Sequence, residues 1–155
     1  MNLIKRGTLI FVVLAALGLF APLPGNNRVM AQRESVWASE LDAGILVKWI
    51  HLLYDRAEAE KISAPAASRL YAYAGITAYQ SVLPGIIDGI SMSGQLTNMP
   101  DMPYAEEGKV YDWITSANAA MSTVIDGLFP KESADTHNAV KALREAELKA
   151  RQAKE

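Results

Sequence analysis

ISAPAASRLYAYAGITAYQSVLPG, residues 62–85, is the stretch whose reading decides the fold. Ser63 stands where an N-cap is wanted, Pro65 suits a first helical turn that has no use for its missing N–H, and Pro84-Gly85 supplies the stop. Between these signals Ala67, Tyr71, Ala74, Ala78 and Val82 recur every three or four residues, the spacing of one helical face. Ala74, Gly75 and Ala78 are small enough for a neighbouring helix to approach, and Tyr71, Tyr73 and Tyr79 bring phenols that want partners when buried. The pattern predicts an internal helix with neighbours on more than one side, and its bland account is core packing.

Helical spacing continues on either side of this stretch. Upstream, Leu41, Ile45, Trp49 and Leu52 mark one face of a helix expected over 39–59, with Ser39 and Asp42 as a capping arrangement and Trp37 as a staple. Residues 55–61, DRAEAEK, read as its solvated charged end. Downstream, Val110, Ile114, Ala117, Met121, Val124, Ile125 and Leu128 predict a second core helix over 109–128, ended by Gly127 and Pro130. A last helix, capped by Ser133 or Asp135, has Val140, Leu143 and Ala146 as its apolar rail. Glu145 with Lys149 and Glu147 with Arg151 form favourable pairs four apart. So polar a helix reads as a solvent-facing tail, or as an element whose partner lies beyond Glu155.

Residues 86–107 differ in character. Gly89, Gly94, Pro100 and Pro103 punctuate them, Met92, Met99 and Met102 are scattered among them, and neither helical nor strand period holds. A loop this long is uncommon in a compact domain, and its methionines suit contact with something apolar. The expected fold class is therefore all-α: three to four main helices after an N-terminal signal peptide, with a long Pro/Gly/Met loop between the second and third.

Charge and composition bound what such a domain does. The 155 residues are 50% hydrophobic with a formal charge of −2, which leaves room for one modest domain and gives no basic patch for nucleic acid. No cysteine is present, so disulfides, thiolate metal sites and cysteine nucleophiles are excluded. Lys5 and Arg6 precede an apolar run at 9–21, Pro22 and Pro24 break it, and Val29-Met30-Ala31 offers a signal-peptidase site. The run is shorter than the roughly 20 residues that span a bilayer, which favours export and cleavage over a stable membrane anchor. Removing 1–31 leaves 12 of 15 basic residues against 17 acidic ones, a mature charge of −5. The domains expected are a signal peptide, 1–31, and a helical domain, 32–155, in the periplasm or outside the cell.

Reactive constellations are sparse. His51 and His137 fall in different helices without a metal-binding neighbour at helical spacing, and Ser91, Ser93 and Gly94 lack the frame of a nucleophile elbow. Glu58 with Glu60 and Glu106 with Glu107 sit in charged, solvated segments. Arg69 lies in the most apolar helix, where a structural ion pair is favoured over a phosphate contact. No catalytic, cofactor-binding or metal-binding residue is assigned.

Three blocks carry a resemblance: PAASRLYAYAGITAYQSVLPG at 65–85, SMSGQLTNMPDMP at 91–103 and YDWITSANAAMSTVIDGLFP at 111–130. In this order they resemble the N-terminal helical region of secreted bacterial vanadium-dependent haloperoxidase-like proteins, of the type 2 phosphatidic acid phosphatase superfamily. The resemblance implies a helical bundle and, in a complete protein, phosphomonoester hydrolysis or peroxide-dependent halide oxidation, with vanadate as a possible cofactor. Its three catalytic stretches are a Lys six residues before Arg-Pro, a Pro-Ser-Gly-His, and a Ser-Arg followed at a distance by His and Asp. None of them occurs here: Ser93-Gly94 is followed by Gln95, and His137 has no Ser-Arg before it. The expectation is a truncated or split copy that is incomplete, inert alone and partnered by a missing catalytic helical domain or by itself. The alternative is a self-contained periplasmic binding or interaction module whose Met-bearing loop contacts a partner.

Overall fold

A computed structural model describes residues 35–131 and 133–154, and among these described residues there are four α-helices. They are α1 (Gly44–Ala59), α2 (Ala64–Val82), α3 (Trp113–Leu128) and α4 (Ala134–Gln152), with short 3-10 turns at Ala38–Glu40 and Leu83–Gly85. There is no β-strand among the described residues, so the fold is all-α. The signal segment expected at 1–31 lies outside the described residues. None of the described helices is long and apolar enough to cross a membrane.

Two helix starts differ from their sequence expectation, each for a local reason. Ser39 belongs to the separate turn Ala38–Glu40, and Leu41 is extended, so no helix runs continuously from 39. The Asp42 carboxylate accepts from the Gly44 N–H at 2.7 Å and starts α1 there. Asp112 acts likewise for α3: itself extended, it accepts from the Ile114 N–H and the Thr115 hydroxyl, so the helix begins at Trp113, not at 109. The start of α2 falls where the sequence places it, with Pro in its first turn, although the Ser63 side chain makes no capping bond. Trp37 remains half-exposed and staples nothing into the core.

The helix at the centre is α3. Trp113, Ala117, Asn118, Met121, Ser122 and Ile125 are all buried, because α3 packs against α1, α2 and α4 on different sides. The helix expected at 62–85 does have neighbours on more than one side, α1 and α3, but it is not internal: Ala74 alone is fully buried on α2, and Tyr73 stays 52% exposed. Along α1, Ile45, Trp49 and Leu53 enter the core that Phe129 and Val140 complete. Full burial of a large apolar side chain such as Leu53 is worth about 1.5–3 kcal/mol. At the centre of this layer the Trp49 indole N–H donates to the Asn118 carbonyl at 3.0 Å, and the Asn118 amide donates to the Arg144 carbonyl, also at 3.0 Å. One side chain on α3 thus ties α1 to α4, and no buried side-chain polar atom among the described residues lacks a partner.

The polar fourth helix also finds a seat. Thr136 and Val140 are buried and Leu143 packs against the core, so α4 is a member of the bundle and not a solvent-facing tail. Glu147 and Arg151 do not pair with each other: Lys48 holds Glu147 at 2.6 Å, and Arg151 reaches Asp112 at 2.7 Å. The charged end of α1 is likewise engaged, since Glu60 accepts from the hydroxyls of Ser133 and Thr136 at the start of α4.

Candidate binding groove

Between α2 and α3, on the side of α3 away from α4, the bundle stays open. Tyr73, Ile76, Thr77 and Gln80 of α2 form one wall, and Ser116, Ala120 and Val124 of α3 form the other. Residues 96–105 form a roof, and the volume enclosed is about 900 Å³. Ser116, Ala120 and Val124 repeat every four residues, so they share one stripe of α3. Because two of the three are small, that stripe makes a floor where larger residues would have closed the space.

The deep end of the groove is set by an aromatic pair. The Tyr111 and Trp113 rings stack with centroids 5.3 Å apart and 11° between planes. Trp113 donates its indole N–H to the Val36 carbonyl at 2.9 Å, and its ring lies over the backbone of Gly85. A Cβ at Gly85 would come within 2.4 Å of the indole nitrogen, so only glycine fits beneath Trp113. The Pro-Gly that ends α2 therefore also positions the indole that lines the groove.

The roof belongs to a helix-free connection, 86–112, that side chains fasten to α2. The Tyr79 hydroxyl donates to the Ile90 carbonyl at 2.8 Å and accepts from the Ile90 N–H at 3.1 Å. Gln80 donates to the Ser91 hydroxyl and accepts from the Met92 N–H. Farther along, Ser93 donates to the Pro100 carbonyl at 2.9 Å, and Asn98 and Gly94 take positive φ angles of 61° and 79° to bend the chain. Of the methionines flagged in the sequence, Met99 and Met102 line the groove, and Met92 is half-buried beside its anchor. The anchoring pair Tyr79 and Gln80 was not singled out as such by sequence reasoning; a phenol and an amide on a half-buried helical face are its only trace.

None of the described side chains lining the groove is charged. The aliphatic hydroxyls on its walls are already engaged: Thr77 donates to the Tyr73 carbonyl at 2.8 Å, and Ser116 to the Ser81 carbonyl at 2.7 Å. The rest of the surface is mostly aromatic, aliphatic and thioether, with Thr97 and Asn98 of the roof and the Tyr73 and Tyr104 phenols as its polar groups. Arg69 takes no part, and the ion pair expected of it is corrected: it is exposed, and its Nε contacts only the Pro65 carbonyl of its own helix, at 3.5 Å. His51 is exposed on a broader hollow between α1 and α4, far in sequence from His137. No group of three His, Asp or Glu side chains among the described residues is placed to hold a metal ion.

Ionisable contacts gather instead at the helix ends. His137 meets two acceptors, the Asp126 carboxylate at Nδ1 (2.7 Å) and the Pro130 carbonyl at Nε2 (2.9 Å). Satisfying both requires a proton on each ring nitrogen, and accordingly Asp126 first, then the Pro130 carbonyl, raise its pKa above 6.5. The hydroxyls of Ser133 and Thr136 lower Glu60. For Asp112, partial burial pushes the pKa up, but hydrogen bonds from Arg151 and Thr115 outweigh it and hold the carboxylate below its ordinary value.

No protein-family model matches this chain, and no curated protein or solved structure is significantly similar to it.

Proposed function

We propose that the chain is the N-terminal helical part of an exported vanadium haloperoxidase-like or phosphatidic acid phosphatase-like protein. It packs against a catalytic bundle that it does not itself carry, and it is inert alone. One observation supports this reading above others: the three separate stretches that carry the resemblance meet around a single groove. Residues 65–85 include its α2 wall, 91–103 much of its roof, and 111–130 its α3 wall. An apolar surface built jointly by three such stretches, with Tyr73 and Leu96 left bare, has the character of an interior face that further helices would cover. Cleavage after Ala31 and a periplasmic or extracellular location belong to the same reading and rest on the charge and hydropathy pattern of 1–31.

Two measurements test it. Assayed with vanadate, peroxide and bromide, and separately with p-nitrophenyl phosphate, the purified protein is expected to show no turnover above buffer; turnover in either assay overturns the inert reading. The DNA downstream of codon 155 is expected to encode the Lys, Arg-Pro and Pro-Ser-Gly-His stretches in frame, and a gene without them overturns the family assignment.

A second reading, a self-contained binding module, is favoured by the roof. Four hydrogen bonds with Tyr79 and Gln80 fasten residues 90–92, which lead into the roof, to α2, and this is more fastening than a simple connector needs.

A further inference from the structure

We propose that the groove between α2 and α3 is a binding site for a neutral, apolar small molecule with a flat ring system. This goes beyond the family reading, because it concerns what the chain binds by itself. Size comes first: about 900 Å³ lies within the range of roughly 300–1,000 Å³ found for sites that take drug-sized ligands. Charge comes next. With no cation or anion among the described lining residues, a charged ligand would lose water and gain no partner there, so charge complementarity selects a neutral one.

Hydrogen bonding narrows the class further. Thr77 and Ser116 on the walls donate to backbone carbonyls, and Gln80 is held by Ser91 and Met92, which leaves the Tyr73 phenol on the walls and Thr97 and Asn98 in the roof to meet at most a few polar atoms of a mainly apolar ligand. The apolar contacts are specific in kind. Tyr111, held flat by its stack on the buried Trp113, presents a ring to the groove for another ring to meet, and Met99 and Met102 in the roof are thioethers that reshape around irregular apolar bodies. In a larger protein the same groove would lie along the joint with the rest of the fold.

The test uses two dyes that differ by one charge, N-phenylnaphthylamine and its sulfonated counterpart anilinonaphthalene sulfonate. The neutral dye is expected to bind saturably with one site per chain, and the sulfonate at least about tenfold more weakly, since its charge is desolvated without a partner. Ala120→Trp fills the floor and should abolish binding of the neutral dye while the helical circular dichroism stays unchanged. Tyr73→Arg, at an exposed rim position that tolerates substitution, adds a cation and should strengthen sulfonate binding about tenfold.

Equal binding of the two dyes overturns the proposal, as does neutral-dye binding that survives Ala120→Trp in a folded protein. A dimer that Ala120→Trp dissociates, with no dye bound to the wild type, assigns the groove to a second copy and overturns it too. Should Ala120→Trp not fold, the dye ratio on the wild type and on Tyr73→Arg decides. None of these outcomes depends on vanadate turnover or on the downstream gene, so this inference and the family reading fail separately.

Discussion

Helices α2 and α3 both carry an apolar face in sequence, yet α3 is largely enclosed and α2 is only half-buried along most of its length. Six residues of α3 are buried, against one of α2. The difference lies in how the apolar positions are spread. On α3 they occupy several sides: Met121 and Ile125 reach the core, Asn118 connects α1 with α4, and Ser116 and Ala120 floor the groove. On α2 Leu70, Tyr71, Ala78 and Val82 pack against the core and Tyr79 holds Ile90, while Tyr73 stands over open space. A helix can have a face fit for burial without a neighbour that buries it, and here that vacancy is the groove.

Truncation in the core gives the sharpest contrast. Met121→Ala on α3 is expected to cost about 2–5 kcal/mol in urea unfolding, as for other fully buried side chains, whereas Tyr73→Ala on α2 should stay within about 0.5 kcal/mol. Comparable losses at the two sites would mean that α2 is covered in solution and would erase the contrast. Next comes Gly85→Ala, which drives a methyl into the Trp113 ring and should cost about 1–3 kcal/mol, with a changed tryptophan fluorescence as its marker. Asn118→Leu follows: it strands the Trp49 N–H in an apolar layer, at about 1–3 kcal/mol in the same unfolding experiment.

The smallest effects concern pH. The raised pKa of His137 makes its contribution complete below about pH 6.5, and it is lost as pH rises through the higher folded value. Glu60 and Asp112, both lowered, contribute fully above their ordinary values of 4.5 and 3.8, and those contributions are lost as pH falls through the folded values. The midpoint of thermal unfolding is therefore expected to peak between about pH 4.5 and 6.5. His137→Gln should flatten the alkaline side of that profile and leave the acid side in place.

Much of this architecture is written locally. Pro65 and the Pro84-Gly85 stop locate α2, and the spacing from Ile114 to Leu128 locates most of α3. Local spacing failed where a side chain works across the fold. The sequence marks Asp42 as a capping acid but places the start too early, at Ser39, and the apolar spacing from Val110 hides the part of Asp112 in starting α3. The place of α4 in the bundle depends on Thr136, on the Arg144 carbonyl and on partners in α1 and α3 that no window of α4 contains. For the groove, the methionines of 91–103 pointed to an apolar contact, but which helices it would face is a matter of tertiary packing. Arg69 misled for a related reason: an apolar neighbourhood in sequence is not burial in space.

Asn118 has a consequence beyond the energy of its two hydrogen bonds. The oily contacts around it would tolerate α1 sliding along α3 by a helical turn, since one Leu or Ile meets another much as well. The amide tolerates no such slip, because the indole N–H and the Arg144 carbonyl must both arrive opposite it. A single polar residue thereby sets the register of three helices.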